Sequence, residues 1–494
     1  MKRRHRVSAL ALMLASWGCA SERIAIDKPR AWTPGEPAGE AYARNYPLGH
    51  GVGEGAGEPP APGGGRGQSG EKSGETLDMH RRDARATQTE EGASEQGYLL
   101  LGARQSVRLK GAYERWRAAV ARVTIEGSLM DPMLSYGRFL NEFSSRQAMG
   151  QHEFELMQTF PWFGVLALRE DAAAREAAMA AREYEGVRLA LFRDIRVALY
   201  DLYLLGREID LTRENLALVS QFEAIARTRF KVATGTHADV VRAQVEIGRL
   251  EDRVRELERM RTPALARLNA ALSRPAGKAA AGVVELEPER LDADAAQVMA
   301  LLRAHSPRLA AMAEDVERRR AMTDLARKAY WPDVSVGAMY MVDGDDPAQV
   351  RVSVNVPLWR ARLDAGVREA NSLRLAAAYA QADEENMLEF ELHEALFAHD
   401  DAQRRLELYA RTLLPKAHES VRASLGAFQA GTGSFLELID AQRTLLEFQL
   451  ARVRAAVERA GALARLDALV GTYVPRVRDE VAAHAPAVGA GGDE

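Results

Sequence analysis

The chain contains itself twice. Phe230-Lys231-Val232-Ala233-Thr234-Gly235-Thr236 lies over Phe428-Gln429-Ala430-Gly431-Thr432-Gly433-Ser434, without a gap, at a separation of 198 residues. Asp239 then matches Glu437, Ala243-Gln244 matches Ala441-Gln442, and Ala264-Leu265-Ala266-Arg267-Leu268 returns unchanged as Ala462-Leu463-Ala464-Arg465-Leu466. Upstream, Asp131-Pro132-Met133-Leu134 corresponds to Trp331-Pro332-Asp333-Val334, and Phe160-Pro161-Trp162 to Val356-Pro357-Leu358, with small changes of offset. Two copies are fewer than a stacked solenoid needs, so the chain is read as duplicated halves that pack beside one another.

Each half runs through the same order of elements. In the second, Val334, Val336, Ala338 and Tyr340 alternate with polar or small residues, Asp343-Gly344-Asp345-Asp346-Pro347 makes a turn, and Val350, Val352, Val354 and Val356 alternate again. That period of two predicts a hairpin. The first half shows the same pattern less cleanly, over Met133 to Leu140 and Phe154 to Phe160, around the polar stretch Asn141 to Gly150. Taken alone, such strands fit a soluble sheet or a membrane barrel. Helices follow: Tyr184, Val187, Leu191, Ile195, Ala198, Leu202 and Leu205 recur at steps of three and four, as do Leu446, Leu450, Val453 and Val457. The pattern from Leu166 to Phe230 spans on the order of 100 Å as one helix, too long to be wrapped inside a globule. Ala172 to Ala174 and Ala177-Ala178 permit close lateral packing against other helices.

The first nineteen residues place the chain outside the cytoplasm. Lys2, Arg3, Arg4 and Arg6 precede an apolar run from Val7 to Ala15, and Gly18 leads into Cys19, the order of a secretory signal. Cys19 is the sole cysteine, which leaves no disulfide and no cysteine metal site within the chain. Its position resembles the lipidated cysteine of bacterial lipoproteins, with cleavage at a neighbouring site as the alternative. From Pro34 to Glu75, Gly, Pro, Glu and Ser dominate, too little apolar surface to fold, and a flexible tether is expected. No later stretch reaches the 18 to 20 apolar residues of a membrane helix, so any crossing must use strands. A net charge of -4 argues against nucleic acid as a partner.

On these residues the chain resembles the TolC-like outer-membrane factors of tripartite efflux pumps and type I secretion. The shared features are duplicated halves, two strands near the start of each, a proline bounding the second strand, and an aromatic-Gly-acid-Ala-Gln order further on. Gln158-Thr159-Phe160-Pro161-Trp162-Phe163-Gly164, followed by an Arg- and Ala-rich helix, is most similar to the metal-ion branch. The resemblance implies a mainly α chain with a membrane β-barrel: a homotrimer whose twelve-stranded barrel, four strands per chain, continues as a long periplasmic α-helical barrel. It implies a passive channel from an inner-membrane pump and a periplasmic adaptor to the exterior, with outer-membrane lipid around the barrel, no cofactor and no catalysis. The domains expected are a signal with Cys19 (1–19), a flexible N-terminal segment (20–97), a first repeat (98–273), a connector (274–305), a second repeat (306–475) and a flexible tail (476–494).

The resemblance also nominates sites. Ala233, Thr234, Gly235, Thr236 and Gly431, Thr432, Gly433, Ser434 fall where the family turns its helical hairpins and docks the adaptor. Glu437 and Asp440 fall where acidic residues line the tunnel's closed end, six carboxylates in a trimer. Gly235, Gly431 and Gly433 are expected at positive φ or where a partner backbone comes close. Phe428 stands where some members of the family have a gating Tyr and Gly433 where some have an Arg, so the resemblance does not extend to a lock built on those side chains. Plain structural readings stand beside these: glycines turn a hairpin whether or not anything docks, and acids suit a helix N-terminus. The histidines form no metal pair at helical spacing, and no phosphate loop or nucleophile motif occurs. A periplasmic coiled-coil scaffold is the alternative, which leaves the paired strands without a purpose.

Overall fold

A computed structural model describes residues 94–138, 152–280, 285–342 and 348–479. Outside these lie the signal, Cys19, the Gly- and Pro-rich segment, the polar stretch Asn141 to Gly150, the Asp343 to Pro347 turn and residues 480–494. The chain divides into two compact units.

The first unit, residues 114–181 and 311–381, is built on one antiparallel sheet. Its strands are β1 (Met133–Arg138), β2 (His152–Phe160), β4 (Val334–Val342) and β5 (Ala348–Val354), in the order β1-β2-β4-β5. The two hairpins read from the alternation are both present, and the register joins them in phase: Leu134, Leu156, Ala338 and Val350 form one row, and Tyr136, Phe154, Tyr340 and Ala348 another. All even-numbered residues therefore share a face. That face is apolar and exposed, with Leu134 71%, Leu156 50% and Val350 68% open to solvent. The odd face carries Ser135, Glu153, Glu155, Thr159, Ser335 and Arg351 and is the less accessible one. Thr159 and Ser335 hydroxyls meet at 2.9 Å there, and Arg351 donates to Glu155 at 2.9 Å across β4, over Gly337. A soluble sheet buries its apolar face; this one does the opposite, as the wall of a membrane barrel must. β2 and β4, nine residues each, reach the length of a barrel crossing.

Below the sheet, Trp162 and Trp331 stack with ring centroids 5.0 Å apart, and the Trp162 N–H donates to Asp333. The same Asp333 accepts the Asn355 N–H through its carbonyl, tying the start of β4 to the ends of both neighbouring strands. Helices leave from there: α2 (Val107–Glu126), the start of α3 (Val165–Lys231), α6 (Pro307–Lys328) and the start of α7 (Arg360–Leu408). Ala173, Ala174 and Ala177 are buried, as the small-residue run requires, and Arg175 reaches Glu314 at 3.2 Å.

The second unit, residues 94–113, 182–310 and 382–479, is helical. It contains α1 (Glu95–Gln105), most of α3, α4 (His237–Ala271), α5 (Ala295–His305), the rest of α7, a π-helical turn (Tyr409–Leu413), α8 (Leu414–Ala430) and α9 (Phe435–Val470). The apolar row read along α3 forms its core: Leu191, Ile195 and Ala198 pack with Tyr98, Leu268, Leu272 and Val457. The long helix keeps its expected extent. Where the second copy must absorb two more residues between Pro357 and Phe428, the helix carries the π turn, a local widening that keeps the helix continuous.

Three expected boundaries move. The N-terminal segment ends at Ser94, whose hydroxyl accepts the Gly97 N–H and starts α1 at Glu95. The connector 274–305 shrinks because its last eleven residues are α5, opened by a capping box in which Asp294 and Gln297 satisfy each other's backbone N–H. α1 and α5 are equal in length and 200 residues apart, each N-capped at residue 94 or 294 and C-capped by a serine, Ser106 or Ser306, so the repeat begins earlier than its side chains reveal. The tail begins after a strand: β6 (Arg476–Arg478) pairs with β3 (Glu289–Leu291), and Asp479 is buried against Arg459.

Candidate functional site at the helical hairpin tips

The two nominated turns join α3 to α4 and α8 to α9, and the backbone solves both in one way. Thr234 and Gly235 N–H groups donate to the Arg229 carbonyl at 2.9 and 3.1 Å; Thr432 and Gly433 donate to Ala427 at 3.0 Å each. Each threonine hydroxyl adds a bond to the same carbonyl. Helix ends leave such carbonyls without partners, and these turns supply them. The left-handed position is Ala233 (φ 58°) in the first turn and Gly431 (φ 83°) in the second. Gly235 and Gly433 take no positive φ: a Cβ on Gly235 would stand 3.0 Å from Arg229 Cβ, and one on Gly433 would stand 2.7 Å from Ala427 Cβ. The backbone that approaches them closely is therefore their own.

The next helix starts with a capping box in both copies. Thr236 and Ser434 accept N–H groups from the first turn, while Asp239 and Glu437 accept the cap's own N–H in return. Glu437 thus has a local structural task. Asp440, one turn on, is exposed, as is Glu437. The two acids are three residues apart and share a helix face. In the first copy, the position matching Asp440 is Arg242, which lies 3.6 Å from Asp239.

The two tips meet. Arg229 donates to the Thr234 carbonyl, places its guanidinium 4.7 Å from the centroid of the Phe428 ring, and would be 3.4 Å from a Cβ on Gly431. Phe428 packs at a tilt against Phe435, ring centroids 5.3 Å apart, inside a core with Val219, Phe222, Val240, Leu438 and Ile439. Its counterpart Phe230 is 45% exposed and touches His237.

Sequence reasoning missed the charges inside this bundle. Glu223 accepts from Arg227 at 2.6 Å and from Gln244 at 3.2 Å, and the Arg227 bond holds its carboxyl below the usual range. Glu246 pairs with Arg443, linking α4 to α9, and Glu208 accepts from Arg454 at 2.8 Å. All three glutamates are more than nine-tenths buried. Their one signal was a carboxylate at a core-facing step of an apolar helix pattern, visible only once each partner helix is known. Among the described residues, no helix is long and apolar enough to cross a membrane. Cys19 lies outside the described residues.

The fold and its parts match known proteins. The sequence model described as outer membrane efflux protein covers residues 105–274 and 298–472, one match per copy. The cobalt-zinc-cadmium resistance protein CzcC of Cupriavidus metallidurans is 22% identical over 323 residues, 62% of this chain and 74% of that one. Among solved structures, CusC, described in terms of folding and transmembrane channel formation, aligns with a TM-score of 0.66 at 14% identity, over 77% of this chain and 92% of its own. The outer membrane protein VceC of Vibrio cholerae aligns at 0.61 and 17% identity, over 78% and 96%. With both halves matched and the barrel-wall sheet in place, the chain belongs to the outer membrane efflux protein family and is an outer-membrane channel component of an efflux system, spanning into the periplasm.

Proposed function

We propose that three copies of the chain enclose one passive conduit, each giving four strands to a twelve-stranded barrel. The observation that carries this is the sheet: its apolar face is open and, among the described residues, β1 and β5 each pair on one side only and leave their outer edges open. In lipid an unpaired edge leaves backbone groups unsatisfied, so the sheet must close, and four strands are too few to close alone. The helices continue the conduit into the periplasm, where the tips at Ala233–Thr236 and Gly431–Ser434 receive a periplasmic adaptor that joins it to an inner-membrane pump. Glu437 and Asp440 of three copies place six carboxylates around the narrow end and favour cations there. Cys19 carries the lipid anchor, and the similarity to CzcC supports metal ions as the cargo class.

Native mass measurement of detergent-extracted protein and single-channel recording test the assembly together. A trimer with cation-selective conductance is expected. A monomer that stays dissolved without detergent ends the reading. Radiolabelled palmitate incorporated into the wild type and lost in Cys19→Ala tests the anchor.

A further inference from the structure

The methionines of the sheet are sorted by face. Met133, Met157, Met339 and Met341 all stand at odd positions, and the even positions of the four strands carry none. Every other odd residue in these strands is Ser, Thr, Gln, Glu, Arg or Gly. Partition by hydrophobicity predicts the reverse, because a thioether side chain is welcome against lipid and out of place beside carboxylates. Packing does not account for the choice either: a wall needing apolar filling would accept Leu or Val, and neither occurs on that face.

The four lie in a connected track. Met133 and Met157 are direct cross-strand partners, which puts their Cβ atoms about 5 Å apart. Met157 leans over Gly337, where a Cβ would sit 3.6 Å from its Cβ and Cγ, and Met339 is two residues further along β4. Met339 is opposite Glu155, and Met341 is opposite Glu153. Met133 and Met157 therefore face each other, and each β4 methionine faces a glutamate. Arg351 holds Glu155 at 2.9 Å.

We propose that this face is a binding path for a soft monovalent cation of the Cu(I) or Ag(I) class, passed between methionine sulfurs along the inside of the barrel. Thioethers bind soft cations and neglect hard ones, while Glu153, opposite Met341, attracts positive charge of any kind and Glu155 is balanced by Arg351. The proposal rests on the closed-barrel reading above, since only closure turns the odd face inward and brings three tracks around one axis.

The test uses the full-length protein in planar bilayers and nitrate electrolyte, with silver nitrate as probe and zinc nitrate as comparison. Met→Leu replacement keeps volume and apolar character and removes only the sulfur. In wild type, micromolar silver is expected to interrupt the potassium current in discrete events; in the variant carrying Met133→Leu, Met157→Leu, Met339→Leu and Met341→Leu the dwell time falls about tenfold or more, with potassium conductance unchanged. The pairs Met133→Leu with Met157→Leu, and Met339→Leu with Met341→Leu, should each lose part of the effect, and they carry the test if the fourfold variant does not assemble. Calorimetric titration of silver into the detergent-solubilised protein should show the same loss of bound ion, and zinc binding should not follow the sulfurs. Silver interruptions that persist without the four sulfurs overturn the proposal, as does a wild type that conducts potassium and ignores silver. An absence of potassium conductance in every form, by contrast, sinks the barrel reading and this path with it.

Discussion

The two hairpin tips share a backbone and differ in what they present. Both close on one carbonyl through two N–H groups and a threonine hydroxyl, and both restart the helix with a capping box. Yet the first tip exposes Phe230 and pairs Asp239 with Arg242, while the second buries Phe428 and exposes Glu437 and Asp440. Duplication has kept the local chemistry that makes a turn and changed the side chains exposed around it. A turn needs its hydrogen bonds in either copy; a surface charge is free to take a different task in each.

The sharpest way to break this contrast is to truncate the matching aromatics. Phe428→Ala removes a ring from a filled core and the Arg229 contact above it, and is expected to cost about 3–5 kcal/mol. Phe230→Ala removes a half-exposed ring and should cost under about 1 kcal/mol. Thermal unfolding of the detergent-solubilised protein reads both, and equal shifts would mean that the tips are not differently packed.

The charges come next. Glu437→Ala with Asp440→Ala should lower cation selectivity in single-channel recordings, and Asp239→Ala should leave it in place, because Arg242 already balances that acid. Unchanged conductance and selectivity in the double variant would reduce Glu437 to its capping role. Smaller still is the backbone exchange at the left-handed position. Ala233→Gly relieves a positive φ and should stabilise by about 0.4–1 kcal/mol, while Gly431→Ala imposes the same strain and should destabilise by about 1 kcal/mol. The two signs must be opposite if the turns are one conformation.

How much of this could be read from residues alone follows from the range of the forces. The strands were legible because alternation is local and the lipid face tolerates no exceptions near its middle. The turns were legible because Gly-Thr and the acid three residues past the cap are local chemistry. α5 was not, since eleven residues give barely three turns of periodicity and Pro307 follows at once. β6 pairs with a strand nearly two hundred residues earlier, and three residues of Arg-Val-Arg carry no pattern. The crossing of Arg229 to Phe428, like the pairing of Glu246 with Arg443, depends on which helices become neighbours, and the repeat predicts adjacency of halves without naming side chains.

A last difference between the copies lies away from the tips. Asp201, in the first, makes a half-exposed ion pair with Arg267 at 2.5 Å. On α7, in the second, His399 is 4% exposed, and its Nε2 accepts the Leu291 N–H at 3.2 Å while Nδ1 faces Asp400 at 3.0 Å. An acceptor at Nε2 must be unprotonated, so the neutral ring holds β3, and through it β6, against α7. Burial lowers the pKa of His399 below the ordinary 6.5; Asp400 opposes this, and Arg459 and Arg476 reinforce it. Since the folded state disfavours the proton, the contribution of this bond is complete above pH 6.5 and shrinks as pH falls through the folded value. Unfolding followed from about pH 7.5 down to about pH 5 should show a loss of stability that His399→Gln flattens, because a carboxamide oxygen accepts the Leu291 N–H at every pH. Asp201→Asn in the first copy, where a solvated pair contributes little, should leave the slope of the wild type, and a slope that follows Asp201 instead would place the titrating anchor in the wrong copy.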